Sequence, residues 1–128
     1  MKPVEVLLIE DNAGDILLIR QALSSEPFPI SIHIAVDGKQ AIQMLAARQF
    51  RPDLVILDLN IPILSGLSVL DCTQLDVPVV VFTSSSNPQD RRCAFELGVK
   101  DYVQKSTDLR EYVRQISQVV RTWARPEP

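Results

Sequence analysis

The sequence predicts a doubly wound α/β domain, in which five strands alternate with five helices and form a parallel sheet covered on both faces. Three apolar runs of four residues, VLLI, LVIL and VVVF, are too short for helices and rich in branched side chains. Such runs are typical of strands buried on both faces. Apolar residues at helical spacing lie between and after them. With 128 residues, 46% of them hydrophobic, the chain is long enough for one such core.

The first half of the chain contains two pairs of a strand and a helix. The first strand covers Val6 to Ile9, and Pro27 and Pro29 end the helical region that follows it. The segment ISIHIA alternates isoleucine with other residues, which indicates a second, half-exposed strand. Apolar stripes mark the two helices: Ile16, Ile19 and Leu23 in the first, and Ala41, Ile42, Leu45 and Ala46 in the second.

The second half contains three more pairs. Leu54 to Leu57 and Val79 to Phe82 are the third and fourth strands, and Tyr102-Val103 is a short fifth strand. The third helix has to fit between Gly66 and Pro78, so it should be short.

The last two helices have clear signals. Asn87 offers an N-cap to the fourth helix, Pro88 stands in its first turn, and Gly98 ends it. The fifth helix is long and amphipathic, with a stripe at helical spacing: Leu109, Tyr112, Val113, Ile116, Val119, Val120 and Trp123.

Composition and charge exclude several classes of protein. With 13 basic and 16 acidic residues the net charge is only -3, so the sequence predicts neither a nucleic-acid partner nor a membrane anchor. Acids flank the short apolar run near the start, which is unlike a secretory signal peptide. Cys72 and Cys93 form no CxxC pattern, so we expect no disulfide scaffold or zinc site and a cytoplasmic location.

Polar residues follow the predicted strands at the point where each one ends. In parallel α/β sheets, ligands bind outside the carboxyl ends of the strands, so we expect these side chains to meet at one edge. They are Glu10 and Asp11 after the first strand, Asp58 and Asn60 after the third, Thr83 and Ser84 after the fourth, and Lys105 after the fifth.

This set of residues suits phosphoryl chemistry. Three carboxylates, from Glu10, Asp11 and Asp58, would repel one another unless a cation intervened, and oxygen ligands of this kind suit Mg²⁺. Asp58 could then attack phosphorus, while Thr83 and Lys105 bind phosphoryl oxygens. The product would be an acyl phosphate on Asp58.

Four segments together resemble the receiver domain of two-component response regulators: LLIEDN, LVILDLNIPILSG, VVVFTSS and GVKDYVQK. The resemblance covers essentially the whole chain. It implies a flavodoxin-like (βα)5 fold with strand order 2-1-3-4-5 and Mg²⁺-dependent phosphotransfer from a histidine kinase to Asp58, with Mn²⁺ as a second possible ion. It also implies the metal ligands, which are Glu10, Asp11, Asp58 and the backbone carbonyl of Asn60, and it sets Ser84 beside the phosphoryl group.

The same resemblance implies a switch. The hydroxyl of Thr83 would move toward the phosphoryl group, and Tyr102, three positions before the lysine, would turn inward behind it. The face formed by the fourth helix, the fifth strand and the fifth helix would then change its preference for partners.

A narrower resemblance connects the chain with stand-alone regulators that are paired with phytochrome-type histidine kinases. It rests on EDNAGDILLI, DGKQA, FTSSSNPQD and QKST, and on the tryptophan late in the last helix. Such regulators commonly dimerise through the face of the fourth helix, fifth strand and fifth helix, so a homodimer is expected. The candidate dimer face is Leu109, Tyr112, Val113, Ile116, Val120 and Trp123.

Ser106 and the short third helix depart from the receiver pattern, and so does Glu10, where aspartate is more usual. Ser106 stands where most receivers have proline after the lysine, usually with a cis bond, and the sequence leaves both the cis and the trans form open. The third helix is about one turn shorter than is typical.

Because only five residues follow Trp123, we expect a single receiver domain over 1–128 without an output domain. That protein would be a signalling phosphoacceptor and not an enzyme acting on other substrates.

Two other functions compete with this prediction. A magnesium-dependent phosphatase with an aspartyl phosphate needs a second acid two residues after the nucleophile, and Asn60 cannot supply a proton there. A flavodoxin-like cofactor binder needs a hydroxyl-rich phosphate loop after the first strand, where Glu10 and Asp11 would repel an anionic flavin phosphate.

Overall fold

A computed structural model describes residues 2–124, so residue 1 and residues 125–128 of the predicted domain lie outside the described residues. Five strands and five helices alternate along this part of the chain, as predicted. The strands are β1 Val4–Ile9, β2 Ile30–Ala35, β3 Leu54–Leu57, β4 Val79–Thr83 and β5 Asp101–Gln104. The helices are α1 Ala13–Ser24, α2 Gly38–Ala46, α3 Gly66–Cys72, α4 Pro88–Glu96 and α5 Leu109–Trp123.

The strands form one parallel sheet in the order β2-β1-β3-β4-β5, which confirms the order that the resemblance implies. β3 lies in the middle, and its last residue, Leu57, is in register with Ile9 of β1 and Val81 of β4. The residues that follow these strands therefore leave the sheet side by side. The strand order reverses between β1 and β3, where ligands bind in folds of this kind.

Alternate residues of the central strands pack on opposite faces of the sheet. The core under α1 and α5 includes Leu8, Ile56 and Phe82, and the core under α2, α3 and α4 includes Leu57 and Val81. Burial on both faces explains why these strands are continuous apolar runs without an alternating polar phase.

The predicted helix boundaries agree with the structure. The side chain of Asn87 accepts a hydrogen bond from Gln89 N at 2.8 Å at the start of α4, and Gly98 follows this helix with a φ of 99°. α3 has only seven residues, as its short interval requires. None of the helices in the described part of the chain has both the length and the hydropathy that a membrane span needs.

The structure corrects half of the predicted dimer face. Tyr112, Ile116 and Val120 are 5%, 0% and 0% exposed, because this side of α5 packs on the sheet. They belong to the core of the single chain and cannot contact a partner. Of the predicted face, Leu109 is exposed and Val113 and Trp123 are half-buried.

The start of α3 lies close to the backbone of Asp58. Gly66 N donates a hydrogen bond to Leu59 O at 2.9 Å, and a Cβ atom added to Gly66 would lie only 2.6 Å from the backbone oxygen of Asp58. Because backbone atoms on both sides of the contact cannot rotate away, only glycine fits there without moving Asp58.

The peptide bond between Lys105 and Ser106, for which the sequence left the cis and the trans form open, is trans.

Gly66→Ala should therefore lower the free energy of unfolding by about 1 to 3 kcal/mol, since a methyl group must displace the backbone next to Asp58. Gly14→Ala is the matched control, because its Cβ would meet only the end of the Asn12 side chain, and its effect should stay within about 0.5 kcal/mol. Urea denaturation of the two variants measures both effects. Equal stability of the two variants would contradict the close contact at Gly66.

Candidate functional site

Backbone hydrogen bonds carry the strand pairing one residue past the strand ends and so position the site. Asp58 N donates to Ile9 O at 3.0 Å, and Lys105 N donates to Thr83 O at 2.7 Å. Glu10 N donates in the same way to Ala35 O, at the end of β2, at 3.0 Å. The acids and the lysine therefore start from fixed backbone at one edge of the sheet, as predicted.

The Lys105 ammonium is the centre of the site. Its Nζ donates to Glu10 Oε2 at 2.8 Å, to Asp58 Oδ2 at 3.0 Å and to Asp15 Oδ2 at 3.1 Å. The lysine side chain is only 7% exposed. Burial alone would lower the pKa of Lys105, but the hydrogen bonds and charges of Glu10 and Asp58 outweigh it and raise the pKa above its usual range. The ammonium is therefore charged at any physiological pH.

Two of the carboxylates are buried together and influence each other. Burial raises the pKa of Glu10 to about 7, the hydrogen bond from Lys105 opposes this rise, and the charge of Asp58 adds to it. Glu10 Oε1 also accepts from Asn12 N at 3.1 Å, and Asp58 Oδ1 accepts from Asn60 N at 3.1 Å. The site thus holds more negative charge than one lysine balances.

The other predicted site residues lie around this centre at different depths. Thr83 is fully buried, and its hydroxyl accepts a hydrogen bond from Ser85 N at 3.4 Å. Asp11, Asn60 and Ser84 are exposed at the same edge of the sheet. Within the part of the chain that the structure describes, the side chain of Asp11 has no hydrogen bond or ion pair.

Tyr102 links the neighbourhood of Thr83 to α4. Its ring is buried, and its hydroxyl donates to the carbonyl of Ser85 at 3.0 Å. The hydroxyl of Ser85 donates in turn to Asp90 in the first turn of α4, at 2.8 Å. Arg91 lies over the Tyr102 ring, 5.6 Å from its centroid, and donates to its carbonyl. In this structure Tyr102 has the inward position.

Sequence reasoning missed Asp15 as a member of the site. Asp15 lies in the first turn of α1, where an acid is common at a helix start, so it gave no separate signal. Its other oxygen accepts from the Tyr112 hydroxyl at 2.5 Å. Burial, together with the hydrogen bond and charge of Asp15, raises the pKa of Tyr112 well above its usual range. Tyr112 therefore supports the site from inside the core.

The chemistry of the donors fits a hard divalent cation. Glu10, Asp11, Asp58 and the carbonyl of Asn60 are all oxygen donors at one edge. Burial and, to a lesser degree, the charge of Asp58 raise the pKa of Glu10, and a cation would stabilise the charged form of these carboxylates. Among residues 2–124 no group of three acids, histidines or cysteines could hold a metal ion as the side chains stand, and Glu10 and Asp58 each turn an oxygen toward Lys105. A metal would therefore bind with a local rearrangement of these side chains.

The fold and the site define a flavodoxin-like α/β protein with an acidic, lysine-containing site at the carboxyl edge of its sheet. The sequence model of the response regulator receiver domain matches residues 6–117, and the chain belongs to that family. The predicted resemblance to receiver domains is thereby confirmed.

Among curated relatives, the response regulator Rcp1 of Synechocystis sp. is 30% identical over 131 residues, which cover 94% of this chain and 89% of Rcp1. The transcriptional regulatory protein PrrA of Mycobacterium tuberculosis is 33% identical over 119 residues, 91% of this chain and 49% of PrrA. The chain thus spans about half the length of the transcriptional regulators it matches and nearly the whole length of Rcp1.

Solved structures agree with this narrower relationship. The phosphorylated cyanobacterial phytochrome response regulator RcpA has a TM-score of 0.88 at 32% identity, over 95% of this chain and 94% of RcpA. The Mn²⁺-bound form of Rcp1 has a TM-score of 0.87 at 30% identity, over 98% of both chains. The bacteriophytochrome response regulator RtBRR has a TM-score of 0.74 at 32% identity, over 99% of this chain and 84% of RtBRR. The chain therefore resembles phytochrome-associated regulators in both sequence and structure.

The raised pKa of Glu10 predicts how stability depends on pH without metal. A folded-state pKa of about 7, against an ordinary value of 4.5, means that the folded chain keeps a proton which the unfolded chain has released. Stability should therefore fall as pH rises between these two values, and Glu10→Gln should make this fall shallower. Urea denaturation from about pH 5 to about pH 7.5 in a chelator measures it. Glu96→Gln on exposed α4 is the control, and an unchanged slope in Glu10→Gln would contradict the raised pKa.

Proposed function

We propose that this chain is a single-domain response regulator that accepts a phosphoryl group on Asp58 from a histidine kinase. The observation that carries the proposal is the Lys105 ammonium, which hydrogen-bonds Asp58 at 3.0 Å and Glu10 at 2.8 Å at the edge where β3 ends. A buried carboxylate beside a fixed ammonium and a buried threonine hydroxyl suits nucleophilic attack on a phosphoryl group.

In the proposed reaction, an oxygen of Asp58 forms a bond to phosphorus, and the bond between phosphorus and the histidine nitrogen of the kinase breaks. The electron pair of the broken bond stays on the imidazole, which then takes up a proton. The product is an acyl phosphate on Asp58. Lys105 and the Thr83 hydroxyl stabilise the phosphoryl oxygens, and Ser84 lies exposed beside them.

Glu10, Asp11, Asp58 and the carbonyl of Asn60 would hold Mg²⁺, with Mn²⁺ as a second possible ion. When bound, the cation neutralises charge on the phosphoryl oxygens. Two observations support this ligand set: the oxygen donors of the site, and the Mn²⁺-bound form of the similar protein Rcp1. Asp11 is exposed, so it can turn toward a cation at little cost.

The switch is proposed to run from Thr83 to Tyr102. If the Thr83 hydroxyl moves to the phosphoryl group, its hydrogen bond with Ser85 N breaks. Ser85 also accepts a hydrogen bond from Tyr102 at its carbonyl and donates one to Asp90 from its hydroxyl. The start of α4 and the end of β5 would then adjust together. This is a local packing change with an effect on the face of α4, β5 and α5.

A homodimer through the face of α4, β5 and α5 is part of the proposal. Leu109 at 59% and Phe95 at 40% are exposed apolar residues on α5 and α4, and Val113 and Trp123 are half-buried. Large exposed apolar residues on one face favour an interface. The buried half of the predicted stripe takes no part in it.

The phytochrome-type kinase partner is proposed from the similarity to RcpA, Rcp1 and RtBRR. The prediction that residues 1–128 act as one receiver unit belongs to the same proposal. The cytoplasmic location and the lack of a nucleic-acid partner stay predictions from charge and composition.

Acetyl phosphate with Mg²⁺ tests the proposal directly. The wild type should gain one phosphoryl group by intact mass, and Asp58→Asn should gain none, because an amide is no nucleophile toward phosphorus. Asp53→Asn is the control, since Asp53 caps Glu5 N at the opposite end of β3 and should leave phosphorylation unchanged. Modification that survives in Asp58→Asn, or a wild type that is not modified, would contradict the proposed function.

A further inference from the structure

The side chain of Gln115 on α5 binds the backbone on both sides of Lys105. Its Nε2 donates to Gln104 O at 2.8 Å, and its Oε1 accepts from Ser106 N at 3.0 Å. One amide group thus joins α5 to the two residues that flank the lysine. No part of the predicted chemistry uses Gln115, and its place in the sequence gives no signal of this role.

The two backbone groups have no strand partner because β5 is an edge strand of the described sheet. β5 pairs only with β4 within the described sheet, and Lys105 N points inward to Thr83 O. Successive residues of a strand turn their backbone groups to opposite sides, so those of Gln104 and Ser106 face outward, where no strand follows. Gln115 supplies a hydrogen-bond partner for both of these groups.

Serine at position 106 makes the contact possible. The sequence pattern has proline at this place, and proline has no N–H to satisfy and restricts its own backbone. Ser106 has a free N–H and a trans bond to Lys105. Serine restricts this loop less than proline would, and the hydrogen bond from Ser106 N to the Gln115 side chain helps to fix the loop.

The reach of Lys105 makes a fixed backbone important. Neighbouring strands lie about 4.8 Å apart, so a side chain that starts on β5 must cross roughly 10 Å to groups on β3. The Nζ of Lys105 lies 5.8 Å from the centroid of the Phe82 ring on β4, the strand between β5 and β3. An extended side chain has little slack, so a small shift of its backbone removes the ammonium from Asp58.

We infer that Gln115 is a positioning residue that holds Lys105 at the distance needed to bind the phosphoryl group on Asp58. The inference rests on the proposed phosphoacceptor function and adds to it a residue on the face where partners are proposed to bind. Gln115 acts through the backbone of Lys105 and does not itself reach the reacting atoms.

Gln115→Leu tests the inference against Gln118→Leu, which makes the same change at an exposed position of the same helix. In unphosphorylated protein, NMR hydrogen exchange of the Ser106 amide should become about tenfold faster in Gln115→Leu and stay unchanged in Gln118→Leu. With acetyl phosphate and Mg²⁺, the phosphorylation rate should fall about tenfold in Gln115→Leu only. Urea denaturation identifies any general loss of folding in either variant.

Gln115→Glu separates the two hydrogen bonds and serves if Gln115→Leu folds poorly. This variant keeps an acceptor for Ser106 N and loses the donor to Gln104 O. Hydrogen exchange of the Ser106 amide should therefore stay slow. The phosphorylation rate should lie between those of the wild type and Gln115→Leu. Unchanged Ser106 exchange in Gln115→Leu, or a phosphorylation rate equal to that of Gln118→Leu, would overturn the inference. A wild type that is not phosphorylated overturns the proposed function instead, and the amide exchange still tests the hold on Ser106.

Discussion

The site depends on one interaction, the sharing of the Lys105 ammonium among three carboxylates. Glu10, Asp15 and Asp58 all accept hydrogen bonds from Nζ, at 2.8 to 3.1 Å, in a place that is almost closed to water. Carboxylates buried this closely would otherwise repel one another and take up protons. Lys105 supplies a positive charge that all three carboxylates share, and it holds an ammonium beside Asp58.

The fold supports this interaction from several directions. The parallel sheet brings the ends of β1, β3 and β5 to one edge, and the helices that cover both faces bury the strands and fix their backbone. α5 adds two supports, since Tyr112 holds Asp15 and Gln115 holds the backbone around Lys105. Helix α5 therefore contributes to the site as well as to the core and to the proposed partner face.

Much of this arrangement could be predicted, because buried parallel strands give continuous apolar runs and put the next residue at the sheet edge. That rule found Glu10, Asp58, Thr83 and Lys105. It could not find Asp15 or Gln115, because their contacts depend on how each helix is rotated against the sheet. The predicted dimer face on α5 was half wrong for a related reason. Helical spacing identifies the apolar side of a helix but does not separate its buried part from its exposed part. The structure alone shows that Tyr112 faces the core.

A double-mutant cycle of Lys105→Met and Asp58→Asn, followed by urea denaturation in metal-free buffer, tests the shared ammonium most directly. In the wild type, Lys105→Met should cost about 3 kcal/mol, because it leaves three carboxylates without their cation. In Asp58→Asn the same substitution should cost at least about 1 kcal/mol less, since one of those charges is gone. An equal cost in both backgrounds would contradict the claim that Lys105 stabilises the carboxylates as one cluster.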